Sequence, residues 1–178
     1  MRRPARWALL ALVALWLEAT GVPSLGLPRL HLPLLLGVAA GLVYGPRQGL
    51  AVGGMAGLAL DLWTGRLVGS WSLLHALAGW VGGKAGESLY RDVPGLSPAL
   101  GVTATWLAET VRGLLVAGAT GMPVTAVDLW AWSRTLVPEL IAAAVVAPLV
   151  FRFVLWLQRR EREARAFETL GGWRGGWP

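Results

Sequence analysis

Residues 37–69 read GVAAGLVYGPRQGLAVGGMAGLALDLWTGRLVG. Every fourth position of this stretch is glycine (Gly37, Gly41, Gly45, Gly49, Gly53, Gly57, Gly65 and Gly69), with Asp61 as the one departure. Residues four apart lie on one face of a helix. In a soluble helix each such glycine costs about 1 kcal/mol relative to alanine. In a bilayer, where hydrophobic burial no longer drives helices together, small residues on one face let two backbones approach closely. The stretch therefore predicts membrane helices packed backbone to backbone, with one carboxylate in the closest-packed stripe. Pro46 and Arg47 break it near its middle.

Composition outside this stretch agrees. The chain has 178 residues, 55% hydrophobic and only 15% charged, against about 25% charged in an ordinary soluble domain. It contains no cysteine, which excludes disulfides, thiolate chemistry and cysteine metal sites. The formal charge of +6 rests on arginine, with Lys84 the one lysine. The arginines flank apolar stretches instead of lining a polar face, so they read as orientation signals and not as a nucleic-acid surface. Arg2, Arg3 and the apolar residues 7–17 resemble a signal peptide, but Glu18 occupies the cleavage region and no small-x-small site follows. An uncleaved first span is expected.

Crossing a bilayer takes about 20 apolar residues, or fewer where the bilayer thins. Six spans are expected, over residues 5–22, 30–44, 47–63, 67–83, 97–119 and 136–157. The second is short and has Pro33 in its first turn, where proline is tolerated. Ser97 is the expected N-cap of the fifth. Lys84, Glu87, Arg91, Asp92 and Pro94 form a polar loop before it. Residues 120–134, with Trp130 and Trp132 beside Asp128, read as an interfacial anchor. Residues 1–158 thus make a transmembrane bundle. Residues 159–178 make a charged cytoplasmic extension of the last helix and a flexible Gly/Trp tail.

Arg2, Arg3, Arg6, Arg47, Lys84, Arg91, Arg152, Arg159, Arg160, Arg162 and Arg165 fall on the side of the N-terminus, and only Arg29, Arg66 and Arg134 on the other. Both termini are therefore expected in the cytoplasm, which requires an even number of spans.

The sequence presents no expected catalytic set and no cofactor or metal site. Ser72 and His75 share one helix turn, with no second base elsewhere for nucleophilic chemistry. His31 reads as a solvated loop residue at the outer surface, and neither histidine has carboxylates at ligand spacing. Ionisable residues inside spans cost about 2.5–3.5 kcal/mol each at the bilayer centre on insertion scales, so they need partners. Glu109 and Arg112, three apart, can pair on one face. Glu18, Asp61 and Glu139 fall near the outer ends of their spans. They read either as local hydrogen-bonding groups or, with Glu109 and Arg112, as a polar cluster that grips a partner's helix.

The run from Gly45 to Gly69, with glycines four apart leading to Asp61, then a short turn and Leu67-Val68-Gly69, resembles the rod shape-determining MreD family. The short second span after Leu32-Pro33-Leu34 and the segment from Leu74 to Gly79 agree; Leu34 stands where that family often has an acidic residue. The resemblance covers residues 30–83 and weakens to hydropathy after Pro94. It implies a non-enzymatic subunit of the bacterial cell-elongation machinery in the cytoplasmic membrane. The implied partner is an MreC-like bitopic protein, with an MreB-like filament and the wall-building glycosyltransferase and transpeptidase further out. On this reading Gly49, Gly53, Gly57 and Gly69 allow close helix approach to the partner and Asp61 fixes register; the alternative for most of the stripe is internal packing between spans two, three and four. The implied fold is similar to the substrate-binding subunits of energy-coupling-factor vitamin transporters, which supplies the alternative of a solute-binding subunit with a tryptophan-lined cavity at Trp63, Trp71, Trp106 or Trp130. Such subunits commonly carry an Ala-x-x-x-Ala ridge on the first span. Here Ala5, Ala8, Ala11 and Ala14 fall three apart instead.

Overall fold

A computed structural model describes residues 3–21, 26, 28–65, 69–88, 95–121 and 126–172. Among these the regular structure is entirely helical. The six helices are α1 (Arg3–Trp16, prolonged by a π-helical turn at Leu17–Gly21), α2 (Leu32–Tyr44), α3 (Pro46–Thr64), α4 (Ser70–Ser88), α5 (Leu96–Thr120) and α6 (Ala126–Gly172). By length and composition one segment among the described residues, Leu136–Glu163 of α6, is long and apolar enough to cross a membrane. The other helices fall short for identifiable reasons. α2 is apolar but has 13 residues, and glycine and polar side chains dilute α3 and α4.

Three boundaries differ from expectation. Gly95, in the left-handed region at φ 98°, is the N-cap of α5 in place of Ser97, and its carbonyl accepts the Ala99 N–H at 3.0 Å. α4 runs on through the expected loop to Ser88, where Lys84 and Glu87 pair across one turn at 2.9 Å. α6 begins ten residues before position 136, because nothing in residues 126–135 breaks a helix. Its 47 residues span about 70 Å, more than twice the hydrocarbon thickness of a bilayer. The charged stretch after residue 157 is thereby a direct continuation of the helix. Arg91, Asp92, Arg66 and residues 173–178 of the tail lie outside the described residues, as do the side chains of Asp128 and Trp130.

α2 is the centre of the molecule. Every residue from Pro33 to Val43 is buried, as expected of a helix apolar on all sides. Leu36, Ala39, Ala40 and Val43 pack with Trp7 and Ala11 of α1, Val52 and Ala56 of α3, and Val154 of α6. One residue, Gly45 at φ 100°, turns α2 into α3, with Pro46 at the first position of the new helix, where its missing N–H costs nothing.

The glycine stripe lies inside this arrangement. A Cβ placed on Gly37 would sit 2.8 Å from the Gly53 Cα, on Gly49 2.6 Å from the Gly41 Cα, and on Gly57 2.6 Å from the Ser72 Cα. A Cβ on Gly53 would collide with the His75 carbonyl oxygen. α2, α3 and α4 therefore meet backbone to backbone, and α4 contributes Gly79, Gly82, Gly83 and Gly86 to the same seam.

The perimeter is apolar. Leu9, Leu12 and Trp16 of α1, Leu58, Leu62 and Trp63 of α3, and Leu73 and Leu77 of α4 are exposed. So are Leu114 of α5, and Ile141, Val145 and Leu149 of α6. The two ends differ in charge. At one end Arg6 pairs with Glu161 and Gln158 Nε2 donates to the Val43 carbonyl at 3.0 Å, which gathers the start of α1, the end of α2 and the extension of α6. Glu18, Asp61, Glu109 and Glu139 collect at the other end.

Candidate functional site

At the acidic end, two carboxylates close helices that are not their own. Glu18, at the end of α1, accepts the backbone N–H groups of Leu30 and Leu32, both at 3.1 Å, and so caps the opening of α2. Asp61, at the end of α3, accepts from Gly69 at 2.9 Å, Trp71 at 3.2 Å and Ser72 at 2.9 Å, and caps α4. A helix opens with N–H groups that have no intrahelical partner and a partial positive charge, so an anion there is favoured. Asp61 is fully buried, and both its carboxylate oxygens accept backbone N–H groups. Gly69, at φ 100° with open space where a Cβ would stand, is glycine for the turn and not for close packing.

These placements agree with internal packing of the stripe between the second, third and fourth expected spans. Gly49, Gly53, Gly57 and Asp61 face α2 and α4, and no outside helix reaches them without parting the seam. Glu109 and Arg112 do pair: Arg112 Nε lies 2.8 Å and Nη2 2.5 Å from the same carboxylate oxygen, Oε2. The Arg112 guanidinium also stands 5.7 Å from the Trp71 ring centroid, a favourable position for a cation. Glu109 is buried, and its Oε1 has no hydrogen-bond partner among the described residues.

His31 is the largest departure from the sequence reading. It was expected in solvent, yet it is 6% exposed. Its backbone adopts φ 51°, ψ 37°, a left-handed conformation that costs a non-glycine residue of order 1–3 kcal/mol, although histidine is among the types that tolerate it best. The turn directs the imidazole inward. Nε2 lies 3.3 Å from Glu139 Oε2 and 3.9 Å from Glu109 Oε1. No local pattern announces this, since the two glutamates come from α5 and α6, 78 and 108 positions further along the chain.

Beside the cluster is a cleft of about 250 Å³ whose walls include Glu18, Arg29, His31, Trp63, Trp71 and His75. Trp106 lies elsewhere, on the exposed face of α5. His75 Nδ1 is 2.8 Å from the Trp71 carbonyl, which can only accept, so Nδ1 carries the proton. Ser72 Oγ donates to the Gly54 carbonyl at 3.2 Å. Neither bond joins Ser72 to His75: the first stays within α4, and the second ties α4 to α3.

Comparison with protein-family models, with curated proteins and with solved structures finds no match.

Proposed function

We propose that this chain is a multi-pass bundle of the bacterial cytoplasmic membrane and a non-enzymatic scaffold of the cell-elongation machinery. It binds an MreC-like bitopic protein and so regulates lateral peptidoglycan synthesis and cell shape, with an MreB-like filament and the wall-synthesis glycosyltransferase and transpeptidase as more distant partners. The observation that carries the membrane reading is the apolar perimeter on five of the six helices around a buried α2. Exposed on this scale in water it would drive aggregation; in lipid it is the natural outer surface. The separation of charge supports both termini on the cytoplasmic side, with Arg6, Arg47, Lys84, Arg159 and Arg160 at the end opposite the carboxylates.

The scaffold reading rests on the resemblance over residues 30–83, whose glycines, Asp61 and Gly69 build the α2–α3–α4 unit. Because the glycine stripe faces inward, the partner's helix lies against the outward faces of α3 and α4, at Leu58, Leu62, Leu73 and Leu77. The chain has no native cysteine, so single cysteines at Leu62 or Leu77 report proximity cleanly. Coexpressed with an MreC-like protein that carries a cysteine in its span, they are expected to crosslink to it, while a cysteine at Ile141 on α6 does not. Absence of any complex with that protein, crosslinked or copurified, rejects the scaffold reading.

One observation favours the solute-binding alternative: Trp63 and Trp71 do line a cleft, as that reading requires. Its volume falls below the roughly 300–1,000 Å³ usual for ligand sites. A ligand-dependent rise in thermal midpoint across a panel of vitamins would establish it.

A further inference from the structure

Three potential ligand atoms from three separate parts of the fold converge at the acidic end. His31 Nε2 at the entry to α2, a Glu109 oxygen on α5 and a Glu139 oxygen on α6 all lie within 4.8 Å of one another. We propose that His31, Glu109 and Glu139 form a binding site for a divalent first-row transition metal, with Zn²⁺ the ion of best fit. The proposal does not rest on the scaffold reading.

The separations are the first support. Ligands about 2.0–2.1 Å from a tetrahedral zinc stand about 3.3–3.4 Å apart. His31 Nε2 is 3.3 Å from Glu139 Oε2 and 3.9 Å from Glu109 Oε1. All three atoms lie within 4.8 Å of one another, so the set must draw together by up to about 1.4 Å to reach that ligand spacing.

The second support is the unsatisfied oxygen. Glu109 Oε1 is buried without a hydrogen bond, and the residue is 3% exposed. Arg112 donates both its bonds to the other oxygen, Oε2. A proton on the imidazole serves the His31–Glu139 contact but leaves Glu109 Oε1 beyond hydrogen-bond range at 3.9 Å. A cation between the three serves all of them at once, and offsets the second carboxylate, which Arg112 does not neutralise.

Donor chemistry selects the ion. One imidazole and two carboxylates, with no thiolate, suit Zn²⁺ and its first-row neighbours. Ca²⁺ and Mg²⁺ prefer an all-oxygen shell with more ligands than three. Arg112 is the outer partner that orients Glu109. His31 is also in the cleft wall, which gives an ion a way in and a water a fourth position. Bound there, the metal ties α2 to α5 and α6 at the end where no glycine seam joins them.

The test uses the full chain in detergent, with its affinity tag removed, stripped by chelator and then titrated with Zn²⁺. Bound metal per chain and thermal midpoint are read together. One tightly bound equivalent and a raised midpoint are expected. Glu139→Gln, at a position only partly buried, and His31→Asn, which keeps a residue able to adopt the left-handed turn, should each weaken binding by about 100-fold or more. Arg112→Gln should weaken it by about tenfold as an outer-shell change. Co²⁺ in place of Zn²⁺ should give a visible spectrum that Glu139→Gln alters. If wild type neither retains nor is stabilised by Zn²⁺, Co²⁺ or Mn²⁺, the cluster holds a proton only and the proposal fails. It fails equally if Glu139→Gln and His31→Asn bind Zn²⁺ as wild type does.

Discussion

The α2–α3–α4 seam and the α5–α6 pair are both helix contacts, but they use small residues and acids in opposite ways. In the seam, a Cβ on most of the glycines would meet peptide backbone, which cannot swing aside as a side chain can. On α5 the glycines are mixed: a Cβ on Gly101 would clash with the Ala147 Cβ of α6 at 2.5 Å, whereas on Gly113 it would meet only the Trp132 ring nitrogen at 3.9 Å, and on Gly118 nothing within 4 Å. The acids follow the same division. Asp61, in the seam, is saturated by backbone N–H groups, whereas Glu109 and Glu139, on α5 and α6, face each other across an imidazole. A contact made by backbone leaves its polar groups no freedom for other partners. A contact made by side chains leaves room for a site.

The most severe way to test this contrast is Gly49→Ala. Its Cβ would overlap the Gly79 carbonyl and the Gly41 backbone, so the helices must separate, at about 3 kcal/mol or more. A chemical unfolding curve in detergent should show the loss; an unchanged midpoint would mean that the seam is not close-packed. Asp61→Ala should come next, at roughly 2–4 kcal/mol, since it orphans buried N–H groups at the start of α4. Asp61→Asn, which keeps one acceptor oxygen, should recover part of the loss. If the alanine and asparagine variants unfold alike, the cap is not what holds α4. The smallest effect has the opposite sign: Gly118→Ala, with open space around it, should stabilise by about 0.5–1 kcal/mol by stiffening the helix. A destabilisation of similar size would place a neighbour against that face of α5.

Much of the seam is legible in the linear chain. Gly37 to Gly57 recur every fourth residue, a spacing that keeps small side chains on one helical face, and Gly45-Pro46 marks the turn between two helices. The Glu109–Arg112 pair is likewise a matter of local spacing. The direction of the stripe is not legible, because a glycine face fits a partner's helix as well as its own neighbours. The start of α6 was missed because tryptophans beside an aspartate suit an interfacial loop and a helix equally.

From its residues alone this chain was bound to form apolar helices with a close-packing glycine period, an arginine-rich end and no thiol chemistry, since periodicity and composition act locally. Tertiary structure decided what those features meet. It turned the glycines and Asp61 inward and buried α2 on every side. It also brought His31 to Glu109 and Glu139, residues whose distance along the chain hides their proximity. Contacts between distant positions depend on how whole helices cross, and helix crossing is settled by the packing of all six together.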